Sequence, residues 1–102
     1  MDPIERLEKS NTIENLWVYI LLILKEKPSY SWEILKEIKE RFKFKPGLIT
    51  PYRVLYKLEE EGFVKSKFKE KRRVYQITQK GEKELEKAKN FYKKILSWLG
   101  KN

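Results

Sequence analysis

No cysteine and no histidine occur in this chain of 102 residues, and it holds four glycines, four prolines and one methionine. Without cysteine there is no disulfide scaffold, and without cysteine or histidine the usual zinc sites are gone. The common nucleophile–base pairs go with them. Carboxylates and lysines remain, so catalysis is not strictly excluded, but an enzyme is not expected. Four scattered glycines form neither a Walker-type nor a dinucleotide fingerprint. Long apolar runs are missing too. The longest, Leu16 to Leu24, has nine residues, against the roughly 20 that a membrane-crossing helix needs. Glu5, Glu8 and Glu14 precede it and no small-residue cleavage site follows, a poor match to a signal peptide. The expectation is a cytoplasmic protein with no membrane contact, no metal and no other cofactor.

What is present is charge. Charged residues make up 38% of the chain and hydrophobic residues 40%, a balance that suits one globular domain with a modest core. The net charge is +9, and it is unevenly spread. Between Phe42 and Gly81 stand eleven cations against only Glu59, Glu60, Glu61 and Glu70, so +7 falls within forty residues. A block of this kind favours polyanionic partners. A solvated lysine–glutamate surface is the competing explanation for the chain as a whole.

The elements follow from periodicity and capping residues. Asp2-Pro3-Ile4-Glu5 combines a cap, a first-turn proline and a capping-box partner, predicting a short amphipathic helix to about Lys9. Asn11 and Glu14 read as a second capping box, opening a helix from Thr12 to about Lys25. Its run Leu16–Leu24 is apolar all round and needs cover on more than one side, for which a partner subunit is the simplest source. Trp32, Leu35, Ile38 and Phe42 predict one face of the next helix. After the break at Pro46-Gly47, Thr50 and Pro51 predict the start of another, with Val54, Leu55 and Leu58 inward and Arg53, Tyr56 and Lys57 outward. Gly62 ends it.

A basic hairpin follows. Val64, Ser66 and Phe68 alternate with Lys65, Lys67 and Lys69; a charged turn at Lys69–Arg72 leads into Arg73-Val74-Tyr75-Gln76-Ile77. The bland reading is an edge hairpin whose lysines block aggregation. Thr78 then caps a long helix. Leu85, Ala88, Tyr92, Ile95 and Leu99 form a seam flanked by Phe91 and Trp98, on a helix about 30 Å long at 1.5 Å per residue. The fold expected is mainly α with a small β-hairpin: a winged helix-turn-helix over residues 1–78 and a C-terminal dimerisation helix over 79–102.

Three stretches resemble the PadR family of transcriptional regulators, and the resemblance runs from about Leu16 to Leu99. Ser31-Trp32-Glu33-Ile34 is similar to the Gly-Tyr-Glu-Leu start of the family's second helix. The stretch Thr50 to Gly62 resembles its Thr-Leu-Tyr-Pro-x-Leu-x-x-Leu-Glu-x-x-Gly pattern. Arg72 to Gly81 resembles its basic return strand ending in Tyr-x-(Leu/Ile)-Thr-x-x-Gly. Pro51, Arg53 and Ser31 depart from the pattern, and the wing turn lacks the family's usual glycine or proline. The resemblance implies a homodimer on operator DNA, with the last helix of each subunit packed on the other. It also implies repression released, in many members, by a small aromatic ligand.

The sequence therefore points to a sequence-specific double-stranded DNA-binding regulator, a repressor on an inverted-repeat operator. Tyr52, Arg53, Tyr56 and Lys57 are expected at the major groove, Arg53 being the best guanine reader. Thr50 stands at a helix N-terminus that suits a phosphate. Lys67, Lys69, Lys71, Arg72 and Arg73 are expected to hold the adjacent backbone. Leu85, Ala88, Phe91, Tyr92, Ile95, Trp98 and Leu99 are the expected dimer interface. Trp17, Tyr19 and Trp98 are candidates to line an aromatic chamber at the dimer interface for a flat effector, unless those rings simply fill a solid core. The alternative function is a winged-helix protein–protein module within a transcription or repair assembly. Salt-sensitive binding to any duplex separates the two.

Overall fold

The computed structural model describes residues 1–101; Asn102, the last residue of the expected 79–102 segment, lies outside them. Helix α1 (Pro3–Ser10) is followed by a short 3₁₀ turn (Ile13–Asn15), α2 (Leu16–Glu26), β1 (Ser29–Tyr30) and α3 (Ser31–Arg41). Then come α4 (Thr50–Glu60), β2 (Val64–Lys69), β3 (Arg72–Ile77) and α5 (Gln79–Leu99). The fold is mostly helical with a small antiparallel sheet, in strand order β1-β3-β2. No helix among the described residues is long and apolar enough to cross a membrane.

Helix α2 is the hub. Leu16, Ile20, Leu21, Ile23 and Leu24 are fully or nearly fully buried, and they meet Ile34 and Ile38 of α3, Leu55 and Leu58 of α4 and Val64 of β2. Its other side is half-buried, at Trp17, Val18, Tyr19 and Leu22. The chain thus covers one side of this all-round apolar helix fully and the other in part, so much of the cover expected from a partner subunit comes from within the chain. A continuous apolar surface draws packing from every neighbouring element, each buried side chain contributing about 2 kcal/mol.

Several local expectations change. The capping box at Asn11–Glu14 does not form. Asn11 instead turns back to donate from Nδ2 to the Leu7 carbonyl, 2.9 Å away, closing α1. Ser10 takes up Glu14 at 3.1 Å, and α2 starts only at Leu16. In α3 the buried positions are Ile34 and Ile38, while Trp32 is exposed and stacks on Tyr30 at 6.5 Å. Thr50 makes no capping hydrogen bond; it is the first helical residue of α4, after Ile49. The sheet has a third strand, because Ser29 and Tyr30 pair with Tyr75 and Val74.

Other signals act as expected. Asp2 and Glu5 form their capping box. Gly62, at φ 84°, closes α4: Phe63 N–H donates to the Leu58 carbonyl at 2.8 Å and Gly62 N–H to that of Glu59 at 3.0 Å. That is a Schellman arrangement, which needs a left-handed residue at this point. A clamp also ties the ends of α2 and α3. Arg41 donates to both carboxylate oxygens of Glu26, at 2.6 and 2.9 Å, and these bonds hold the Glu26 carboxyl below its ordinary range.

Candidate nucleic-acid interface

The geometry of α4 follows from its burial pattern. Pro51, Leu55 and Leu58 are buried and Val54 half-buried, so Tyr52, Arg53, Tyr56 and Lys57 are turned to solvent. Tyr52 and Tyr56 are 50% and 70% exposed, too open to be core aromatics. Lys57 lies 3.9 Å from Glu61, one turn on, a weak exposed pair. Arg53 is in no ion pair among the described residues. Thr50 is exposed at the start of the helix, beside exposed Leu48 and Ile49.

The wing is a tight two-residue hairpin. Lys69 pairs with Arg72, so the turn proper is Glu70-Lys71 rather than the four residues Lys69–Arg72. Both turn residues have positive φ, 52° and 67°, as the turn type that matches strand twist demands. This explains how the wing dispenses with glycine, at a conformational cost of roughly 1–2 kcal/mol per residue.

Register divides the wing cations between two faces. Val64, Ser66 and Phe68 lie opposite Ile77, Tyr75 and Arg73, and this face turns toward α4. Ser66 Oγ donates to Glu59 at 2.7 Å, Arg73 Nη1 donates to Ser66 Oγ at 3.1 Å, and the Arg73 guanidinium sits 4.6 Å over the Phe68 ring. Burial, then the Glu59 carboxylate, raises the Tyr75 hydroxyl above its ordinary pKa. Lys65, Lys67, Lys69 and Arg72 stand on the opposite face with Val74 and Gln76. The hairpin cations expected as one backbone-gripping group are therefore split. Arg73 is the exception, already engaged by protein partners.

The junction between wing and last helix is the most closely fitted part of the surface. Thr78 Oγ1 accepts from Gly81 N–H at 3.1 Å and donates to the Gly62 carbonyl at 2.7 Å. Thr78 N–H donates to the Phe63 carbonyl at 3.1 Å, and Lys80 Nζ to that of Glu61. Gly81 is buried against Phe63.

Along α5, Leu85, Ala88, Tyr92 and Ile95 are half-buried, whereas Phe91, Trp98 and Leu99 are exposed at 59%, 61% and 73%. Of the residues named for an effector chamber, Tyr19 packs within the subunit, Trp17 lines two openings and Trp98 is exposed. Tyr19 is wedged edge-on between Phe42 and Phe44, both at 5.0 Å, and its hydroxyl donates to the Asn11 carbonyl at 2.7 Å. Burial raises its pKa, with Tyr92 adding to the effect. Trp98 stands near the far end of α5. Trp17 lines two openings: a groove of about 350 Å³ with Val18, Ala88, Phe91 and Tyr92, and a cleft of about 500 Å³ with Val54, Leu58, Phe63, Arg53 and Lys57. The second reaches the solvent-facing side of α4, a proximity no sequence spacing signals. No group of acidic residues among the described residues could hold a metal ion.

A comparison with curated proteins gives no significant match. Solved structures give many. A transcriptional regulator from Clostridium thermocellum is 28% identical, at a TM-score of 0.76, over 83% of this chain and 89% of its own. A PadR-like transcription factor from Bacteroides fragilis superposes with a TM-score of 0.79 at 22% identity, over 92% and 95%. Bacillus subtilis PadR, solved in complex with operator DNA, has a TM-score of 0.63 at 23% identity, over 85% of this chain and 48% of its own. The model of the transcriptional regulator PadR-like family matches residues 20–87, two thirds of the chain. With that match spanning α4, the wing and the Thr78–Gly81 junction, the chain belongs to the PadR-like family of transcriptional regulators.

Proposed function

We propose that this regulator binds a specific inverted-repeat sequence in duplex DNA as a homodimer and represses transcription there. The observation that carries the reading is the solvent face of α4. Two tyrosines and two cations are held outward by a buried helix face, beside a basic wing. An exposed helix of this kind fits the major groove, and Arg53 has the fork geometry that pairs with guanine. Residues 1–78 form the DNA-binding unit and α5 the dimerisation element. The exposed apolar side chains Phe91, Trp98 and Leu99, in line with Leu85, Ala88, Tyr92 and Ile95, ask for a second copy. An effector, if one acts, enters beside Trp17, where the two openings are, rather than between Tyr19 and Trp98. Selection of genomic fragments by the purified protein tests the reading directly. Recovered fragments should share an inverted repeat; recovery of duplexes with no common sequence removes sequence-specific regulation.

Base readout and backbone grip should separate on substitution. Arg53→Ala is expected to cost roughly 1–3 kcal/mol at the selected site and little on unrelated duplexes. Lys71→Ala should weaken all duplexes alike and reduce the slope of log affinity against log salt by about 0.9. Arg73→Ala should change that slope less than Lys71→Ala does, because its guanidinium is held by Ser66 and Phe68. Titrations at several salt concentrations measure all three, and an equal slope change for Arg73 and Lys71 would contradict the assignment.

A further inference from the structure

Lys65, Lys67, Lys69 and Arg72 share the outer face of the sheet with Gln76 and Val74. All four cations are exposed, and none is in an ion pair among the described residues. The three lysines flank an open cleft of about 400 Å³ floored by Pro28, Val74 and Gln76. The opposite face of the same two strands is the one joined to α4 through Ser66 and Glu59. A cation on the outer face therefore points away from the helix proposed to read the operator.

We infer that this outer wing face is a second phosphate-binding surface, which takes a second segment of duplex DNA while α4 holds the first. The inference rests, for the first segment only, on the reading of α4 given above. The chemistry selects nucleic acid among polyanions. Lys65, Lys67 and Lys69 form a straight row about 14 Å long at roughly 3.4 Å per residue. A duplex carries one charge per about 1.7 Å of axis with both strands counted, so such a row runs along a length of duplex that holds about eight phosphates, of which part face it. An anionic membrane would call for apolar anchors, and a protein partner for an apolar centre. Beside the row stand Pro28 and half-buried Val74 and, opposite Val74, Tyr30 with exposed Trp32 stacked on it; charge remains the dominant feature of the face, and the vesicle arm of the test separates bilayer from duplex. Lys65 stands at the base of the wing, four residues from the last strand residue before the turn. Of the outer-face lysines Lys65 is the one farthest along the strand from the wing tip, so it is the one chosen to report on the second surface.

The test uses Lys65→Glu combined with Gln76→Glu, and Gln76→Lys as its converse. Complexes of the full-length protein with a selected operator duplex are immobilised through the DNA. They are then offered a short fluorescein-labelled duplex of unrelated sequence. The wild-type complex should capture the labelled duplex, K65E/Q76E should capture at least tenfold less, and Q76K more, with operator affinity the same in all three. Operator binding without any capture overturns the second surface and leaves the first reading standing. The wing is also assayed without reliance on α4, on the unrelated duplex in an R53A/K57A background. There Lys65→Gln should lower the salt slope by about 0.9 and Gln76→Lys raise it by as much. Unchanged slopes, or a loss of solubility alone, would reduce the lysines to guards of an edge strand and end the proposal. Capture of anionic vesicles in place of duplex would end it equally.

Discussion

Gly81→Ala should destabilise the protein by roughly 3 kcal/mol, the upper end of the usual range for an added methyl group with no room. The new Cβ would run into the Phe63 carbonyl oxygen and come within 2.8 Å of Ile77 Cγ1. One obstacle is backbone and the other belongs to the sheet, so neither can swing aside. Phe63 also receives the Thr78 N–H on that same carbonyl, so relief of the clash breaks the junction. For a domain of this size a loss of this order is a large share of the whole folding free energy, worth roughly 15 °C in Tm. Gly62→Ala provides the contrast. Its φ of 84° is unfavourable for alanine, but the nearest atoms, in the Lys80 side chain, are 3.7 Å away. A cost of about 1 kcal/mol is expected there. Thermal unfolding followed by circular dichroism ranks the two, and a Gly81→Ala protein as stable as Gly62→Ala would show that the junction yields.

Ile95→Asp with Leu99→Asp should turn the proposed dimer into a monomer and lower operator affinity by about 10²–10⁴-fold, the factor lost when two linked half-site contacts become independent. The two side chains lie on the α5 stripe, Ile95 half-buried and Leu99 73% exposed. Neither belongs to the buried core around α2, so the monomer should keep its helical signal. Sedimentation velocity at micromolar concentration gives the mass, and a titration of the selected duplex gives the affinity. A double variant that still sediments as a dimer would place the interface elsewhere. One that is monomeric yet binds with unchanged affinity would make dimerisation irrelevant to recognition.

How much of this was legible in the sequence depends on the range of the interaction. Signals completed within a few residues are expressed as read: the Asp2–Glu5 box, the glycine stop at Gly62, the Thr78 cap and the outward set Tyr52, Arg53, Tyr56 and Lys57. Asn11 misleads because its side chain can serve either the helix before it or the helix after it, and the carbonyl of Leu7 is the nearer partner. Strand β1 is two residues long and owes its existence to the far side of the sheet, so no local period could announce it. Of the face Trp32, Leu35, Ile38 and Phe42, Ile38 is buried and Phe42 packs against the core, while Trp32 is exposed and Ile34, outside that set, is buried in its place. Arg73 reads as one more wing cation until register places it beside Phe68. Tyr19 reads as a chamber residue until tertiary packing wedges it between Phe42 and Phe44, residues 23 and 25 positions away in the chain.

The three bonds that join Glu61, Gly62 and Phe63 to Thr78 and Lys80 have a mechanical meaning. They leave no slack between the end of α4 and the beginning of α5, so the two helices move as a crank and its shaft. Helix α5 has 21 residues, a shaft of about 31 Å at 1.5 Å per residue. A tilt of about ten degrees at its far end would then swing the near end, and α4 with it, through about 5 Å, on the order of one helical turn. In a pair of such subunits, the angle at which two shafts cross would set the distance between two cranks.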